Sequence, residues 1–381
     1  GANRDAGTVM RMETALALVS MTNVEQRNSD SLYHLLKLAD VKALTPALDW
    51  DRYLAGLGLR GVREINVAQP KFLQGVDSLL RATPVGDWKI YLRWQLVNQH
   101  AAFLGPDFDA ENFRFNGTIL QGVAERRPLW KRCINRTDDA LGEILGQAYV
   151  ATHFTPQAKA RALVMVENIQ AAFRQRLAAL TWMSEPTKAK AYAKLDAIVN
   201  KIGYPDKWRD YSALQILPGP FVLNAMRAAE FETRRDFGKI GKPVDRGEWG
   251  MTPALVNAQY NPQLNDITFP AGIMQPPFFN PDADDAVNYG GMGAVIGHEI
   301  THGFDDEGRK FDSQGNLSGW WSDADNVEFQ KRADAVATQF DGYVAVESLH
   351  VNGRQTLGEN IADFGGLTSA YAAYRTTLEG K

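Results

Sequence analysis

The sequence predicts a mainly α fold of the α+β kind in two lobes, and three observations predict it. Long stretches of the first half repeat apolar residues every three or four positions. Two short β-prone segments follow, separated by turn residues. Composition also changes after residue 204, where Pro218, Gly219 and Pro220 punctuate a looser stretch. The expected division is a helical lobe over 1–205 and a second lobe over 206–381.

The chain has 381 residues, 45% hydrophobic and 23% charged, which is ordinary globular composition with material for a large core. Net charge is −4, and Lys and Arg are scattered, so nothing attracts a polyphosphate backbone and no nucleic-acid partner is expected. A single cysteine, Cys133, excludes an intrachain disulfide and a thiolate metal site, and reads as a small buried residue. No window reaches the roughly 18 apolar residues of a membrane-spanning helix. The chain opens Gly1-Ala2-Asn3 rather than on methionine, so a processed start is expected.

Helices are expected near 31–44 and 87–104. Thr155-Pro156 is a cap followed by proline at the first helical position. It opens a helix whose apolar face is Val166, Ile169, Phe173, Leu177 and Leu180. A second helix is expected from about residue 184, with Ala191, Leu195, Ile198 and Ile202 on its buried side and Gly203 as its end. After a helix over 221–237 come candidate strands at 255–260 and 266–269, joined through Asn261-Pro262 as a hairpin. Four prolines at 270, 276, 277 and 281 then give an irregular segment, and a helix begins at Tyr289-Gly290-Gly291.

That last helix carries His298-Glu299-Ile300-Thr301-His302. Histidines at i and i+4 stand one turn apart on one face, where both rings can reach a single cation. Glu299 is rotated by about 100° around the axis, which puts its carboxylate beside the metal as a base for a bound water whose pKa the cation lowers. Val295, Ile296 and Ile300 make the helix largely apolar, so buried histidines and a glutamate there need partners that a metal supplies.

A third protein ligand is required. A third histidine spaced as in metzincins is absent, since positions 305 and 308 are Asp and Gly. His350 precedes the turn signal Val351-Asn352-Gly353 and reads as a surface residue. Glu359 is the better candidate, in a short helical segment bounded by Gly358 and Gly365-Gly366. Asp363, four residues on, points the same way, and one carboxylate can bind metal while the other orients a histidine. Spacing alone leaves this pair equally readable as a solvated helix face.

Taken together, these segments closely resemble the neprilysin and endothelin-converting-enzyme family of zinc metallopeptidases. The resemblance rests on Val256-Asn257-Ala258-Gln259-Tyr260, the run 269–279, the run 288–308, Trp320-Trp321 and the run 357–367. It implies a thermolysin-like (zincin, gluzincin-type) catalytic lobe, and a second lobe that closes over a chamber admitting peptides. It also implies one Zn2+ held by His298, His302 and Glu359, Glu299 as general base and Asp363 as the partner that orients a zinc histidine. Asn257 and Ala258 would hydrogen-bond the substrate backbone, while Ile273, Phe278 and Val295 would line an apolar pocket for the residue after the scissile bond. Where the family carries an aromatic this chain has Gln259.

The function so implied is a zinc-dependent endopeptidase that hydrolyses oligopeptides with a zinc-bound water activated by Glu299, outside the cytoplasm. Family members also carry segments before and after the matching region, the later one supplying an oxyanion-stabilising histidine and a substrate-gripping arginine. No residue after Glu359 is assigned to either part, so separate N- and C-terminal segments of the same protein are expected partners. A peptide-binding relative that does not cut, and a purely structural zinc module, are the readings that share the motif.

Overall fold

The structure is a computed structural model, and it describes residues 1–379. Contacts group the chain into two compact units, Gly1–Arg136 with Tyr211–Lys242, and Thr137–Asp210 with Pro243–Lys381. This grouping differs from a single cut at 205/206, because the chain passes between the units three times.

The first unit is helical, with Ala2–Ala17, Pro70–Ala82, Val85–His100 and Phe221–Phe237 as its longer helices. Two small cores hold it, one around Val41, Trp50, Leu54 and Val67, the other around Val9, Met12 and Tyr91. The helix expected over 31–44 is broken. Only Ser29–Leu32 and Leu38–Leu44 are helical, and between them β1, Leu35–Lys37, pairs antiparallel with β2, Glu64–Asn66. The Asn66 side chain explains the break: it accepts from the His34 amide at 2.7 Å and donates to the Leu32 carbonyl at 3.1 Å, capturing backbone groups a helix would use. Cys133, expected buried, is exposed on the helix Leu129–His153.

The second unit is built around the helix Pro156–Ala179, capped by Thr155 Oγ accepting from the Ala158 amide. Val166, Ile169, Phe173 and Leu177 are buried as expected. The next helix stops early, at Glu185–Asp196, and Ile198 and Ile202 lie beyond it. Val199–Gly203 is instead strand β3. Gly203 ends it with φ of 81°, where a side chain would strike the Phe154 ring. β3 runs parallel to β5, Asp266–Pro270, and β4, Gln259–Asn261, runs antiparallel to β5 as the edge of the order β3-β5-β4. The predicted hairpin is present, shorter on its first arm. Lys201 on β3 and Asp266 on β5 form a buried ion pair, with the Lys201 ammonium also on the Glu248 carbonyl at 2.6 Å.

Against the sheet and the first long helix lies the motif helix, Ala294–His302, preceded by a π-helical turn at Tyr289–Gly293. The segment holding Glu359 is not short: it begins the 21-residue helix Leu357–Thr377, which runs through Gly365-Gly366. These glycines are contact points. A Cβ on Gly366 would stand 2.6 Å from the His298 amide nitrogen and 2.7 Å from the Ala294 carbonyl oxygen. One on Gly297 would stand 2.6 Å from the Gly366 carbonyl oxygen, and one on Gly365 would collide with the Thr301 side chain. The two helices therefore touch backbone to backbone.

At a third corner Asp325, buried near the start of the helix Asp323–Asp341, accepts from the Ser184 amide at 2.9 Å and from the hydroxyls of Ser184, Thr187 and Ser322 at 2.5, 2.6 and 2.7 Å. Burial alone would raise its pKa, and these bonds override it to about 2. Among the described residues no helix is long and apolar enough to cross a membrane.

Gly366→Ala, helpful in an open helix, should here lower stability by about 1–3 kcal/mol through overpacking, read from denaturant unfolding; an unchanged midpoint would show that the helices are not in backbone contact. Asp325 has a folded pKa below its unfolded one, so its bonds contribute fully above the ordinary carboxylate range and are lost as pH falls through about 2. Unfolding curves of wild type and Asp325→Asn should therefore differ at neutral pH and converge in acid; a pH-independent gap contradicts the assignment.

Candidate metal centre

His298 and His302 lie one turn apart on the motif helix, their Nε2 atoms 2.9 Å from each other. Because the C-terminal helix abuts this one, the first turn of Leu357–Thr377 brings Glu359 Oε2 to 3.3 Å from His298 Nε2 and 3.5 Å from His302 Nε2. Among the described residues these three form a group of donors close enough for one metal ion. A tetrahedral zinc with bonds of about 2.0–2.1 Å sets its donors about 3.3 Å apart; the two separations to Glu359 match this, and the two ring nitrogens stand somewhat closer.

The far nitrogens are already committed. His298 Nδ1 is 2.9 Å from Asp363 Oδ1, and His302 Nδ1 is 2.7 Å from Asp305 Oδ2. A carboxylate can only accept, so each Nδ1 carries the hydrogen and each Nε2 presents a lone pair. Two imidazole lone pairs and a carboxylate oxygen thus converge with no donor among them. Such a cluster needs a positive charge, and the residues present fit zinc. The titration behaviour agrees. Burial would lower the His302 pKa, but the bonds to Asp305 and Glu359 and the charges of Asp305 and Glu299 raise it to about 10. The His298 pKa is also raised, burial opposing and the Glu359 bond favouring the proton, while the bonds from both histidines hold Glu359 well below the usual carboxylate range. Without a metal, protons take its place.

Glu299, 6% exposed, projects to the side of this cluster. Burial raises its pKa, the nearby His302 and His298 lower it, the Glu359 charge raises it, and the Tyr260 backbone N–H lowers it again. The three donors and Glu299 face one cleft of about 450 Å³, whose other wall is Asn257, Ala258, Gln259, Tyr260 and Pro262, the approach to and length of edge strand β4. Asn257 and Ala258 are thus brought to the metal site. Ile273, Phe278 and Val295 do not line this cleft: Ile273 is buried in the core, Val295 packs against that core, and Phe278 is 37% exposed. His350 is exposed on a separate hairpin, outside the donor group, with Nδ1 2.9 Å from the Asp341 carbonyl.

Asp305 was not singled out by the sequence reading except to exclude a third histidine. It is 5% exposed, and its Oδ1 accepts from the amides of Glu307 at 2.9 Å and Gly308 at 2.6 Å while Oδ2 holds His302. Its position three residues after His302, past the helix end, is the signal that could have found it.

A helix with two histidines one turn apart, a third ligand from a neighbouring helix and an edge strand across the cleft define a zincin-type metal site. The family models for peptidase family M13 match residues 1–205 and 257–381. This chain belongs to peptidase family M13. It is 36% identical to human endothelin-converting enzyme 1 over 387 residues, covering 97% of this chain and 50% of that protein. With neprilysin-11 of Caenorhabditis elegans the identity is 36%, covering 98% and 46%. Among solved structures, the zinc metalloprotease Zmp1 of Mycobacterium tuberculosis in complex with an inhibitor is 42% identical with a TM-score of 0.95, over 99% of this chain and 58% of that one. PepO from Lactobacillus rhamnosis HN001 gives 31% and 0.91, over 100% and 59%. The chain spans about half the length of the curated relatives it matches.

Asp305→Asn keeps the shape at this position and weakens its grip on His302. It should lower zinc affinity by about 10- to 100-fold, measured by competition with a chelator; unchanged affinity would mean that His302 is oriented without it.

Proposed function

We propose that this chain carries the metal site and general base of a zinc-dependent endopeptidase that hydrolyses oligopeptides. The observation that carries the reading is the convergence of three acceptor atoms, from His298, His302 and Glu359, beside buried Glu299 in a cleft walled by an open strand edge. Zinc, when bound there, polarises the scissile carbonyl and acidifies a water. Glu299 takes the proton of the attacking water and passes it to the leaving amine, so that one water adds across one peptide bond. Asp363 and Asp305 fix which nitrogen of each histidine faces the metal.

On the substrate side, an extended peptide would pair along the β4 edge and its approach, with Asn257 and Ala258 hydrogen-bonding its main chain. Recognition through main-chain groups tolerates many side chains, which suits oligopeptides as a class. For Ile273, Phe278 and Val295 we retain the part of a pocket for the residue after the scissile bond. Val295 stands one turn before His298, and Phe278 is open to solvent. The division into a substrate-enclosing lobe, 1–205, and a catalytic lobe, 206–381, belongs to this proposal, as does a place outside the cytoplasm. The oxyanion-stabilising histidine and the substrate-gripping arginine are assigned to further polypeptide of the same protein.

In the complete protein, Glu299→Gln should keep its zinc and lose about 10²- to 10⁴-fold in peptide turnover. Glu359→Ala should lose zinc and turnover together. A Glu299→Gln variant that cleaves as fast as wild type sinks the mechanism, and zinc retained by Glu359→Ala sinks the ligand set. Chelation should stop turnover reversibly with the fold intact; unfolding on metal removal would favour a structural zinc.

A further inference from the structure

We propose that Lys194 is a positioning residue for the metal centre, holding the turn after the motif helix in the shape that lets Asp305 orient His302. The inference rests on the zinc site of the proposed function. Lys194 lies on the helix Glu185–Asp196 and is 1% exposed, heading the largest fully buried side chains. Its ammonium donates to the carbonyl oxygens of Gly308 at 2.6 Å and Phe311 at 2.7 Å. Both belong to the turn that leaves the motif helix, and the same turn gives Asp305 its amide donors from Glu307 and Gly308.

The peptide groups of Gly308 are the link. Its N–H points at Asp305 and its C=O at Lys194, so the two side chains hold one residue from opposite sides. A run of hydrogen bonds then leads from the Lys194 ammonium through Gly308 and Asp305 to His302 Nδ1. Glycine is required at 308, because a Cβ there would collide with the His302 carbonyl oxygen. Glycine is also the residue least able to hold its own conformation, so the geometry that presents its N–H to Asp305 has to be imposed from outside. Lys194 imposes it, and is itself fixed by Asn265, whose Nδ2 donates to the Lys194 carbonyl at 3.0 Å.

An interior lysine is a costly choice if filling space were the only need. Burial pulls its pKa down to about 7 against the charges of Asp305 and Asp312. Charged or neutral, the group keeps at least two N–H bonds for two carbonyls, so the brace does not depend on its protonation.

The test uses the chain with Lys194→Met, Asp305→Asn and the double variant. Two readouts are needed: zinc affinity by chelator competition and thermal unfolding of the metal-free forms. Lys194→Met should weaken zinc binding by about 10- to 100-fold. Because it acts through Asp305, the double variant should bind zinc about as weakly as Asp305→Asn alone. Unchanged zinc affinity, even with a lowered unfolding temperature, overturns the inference and leaves Lys194 a stabilising residue only. So does a double variant whose loss is the product of the two single losses. If Lys194→Met does not fold, Lys194→Gln takes its place: its amide nitrogen stops one bond short of the lysine ammonium and cannot reach both carbonyls, so the same outcomes apply. Wild type that binds no zinc overturns the metal site itself and this inference with it.

Discussion

Everything at the metal centre depends on how closely two helices approach. His298 and His302 share one face of the motif helix, but two imidazoles do not complete a zinc site. The third donor comes from Glu359, which reaches both rings because Gly297, Gly365 and Gly366 remove the side chains that would hold the helices apart. Backbone contact replaces side-chain interdigitation, at a cost in helix propensity that the tertiary contact offsets. Small residues at a helix crossing usually serve packing alone. Here they also set a distance between donor atoms.

A second layer gives that distance its chemistry. Asp363, from the same helix as Glu359, and Asp305, from the turn after the motif helix, each bind one Nδ1. With both hydrogens pointing outward, both lone pairs point inward. The site is therefore preorganised to hold a cation, and protons fill that role when no metal is bound. Glu299 is buried beside it and lines the same cleft.

Much of this was legible in the sequence, and the exceptions share a cause. The histidine pair follows from a spacing of four. The Thr155-Pro156 start and the helix Phe221–Phe237 follow from local cap and proline chemistry. Gly365-Gly366 read as a helix end because glycine is a poor helix former, and only the neighbouring helix reveals why they sit in mid-helix. Ile198 and Ile202, four apart, satisfy a helical period and an alternating one equally; Ile202 pairs with Phe269 on β5, and Ile198 lies just before the strand. Lys194, between Ala191 and Leu195, carries no local signal of burial, since a lysine ordinarily faces water. Its carbonyl partners are more than a hundred residues away. Asp305 lies close to the motif in sequence, yet its role depends on a turn folding back, which no periodicity encodes. In each case the missing information was the partner.

The short edge strand across the cleft has a consequence for how the protein behaves in company. An open row of backbone donors and acceptors will pair with any extended chain, including another copy of itself. Here β4 is only three residues long, and Pro262 follows immediately, with no N–H to offer and a ring that blocks further pairing. That is too little to template a growing stack of strands, and it suits the single extended peptide proposed as the substrate. Brevity of the strand thus separates a passing guest from a permanent neighbour.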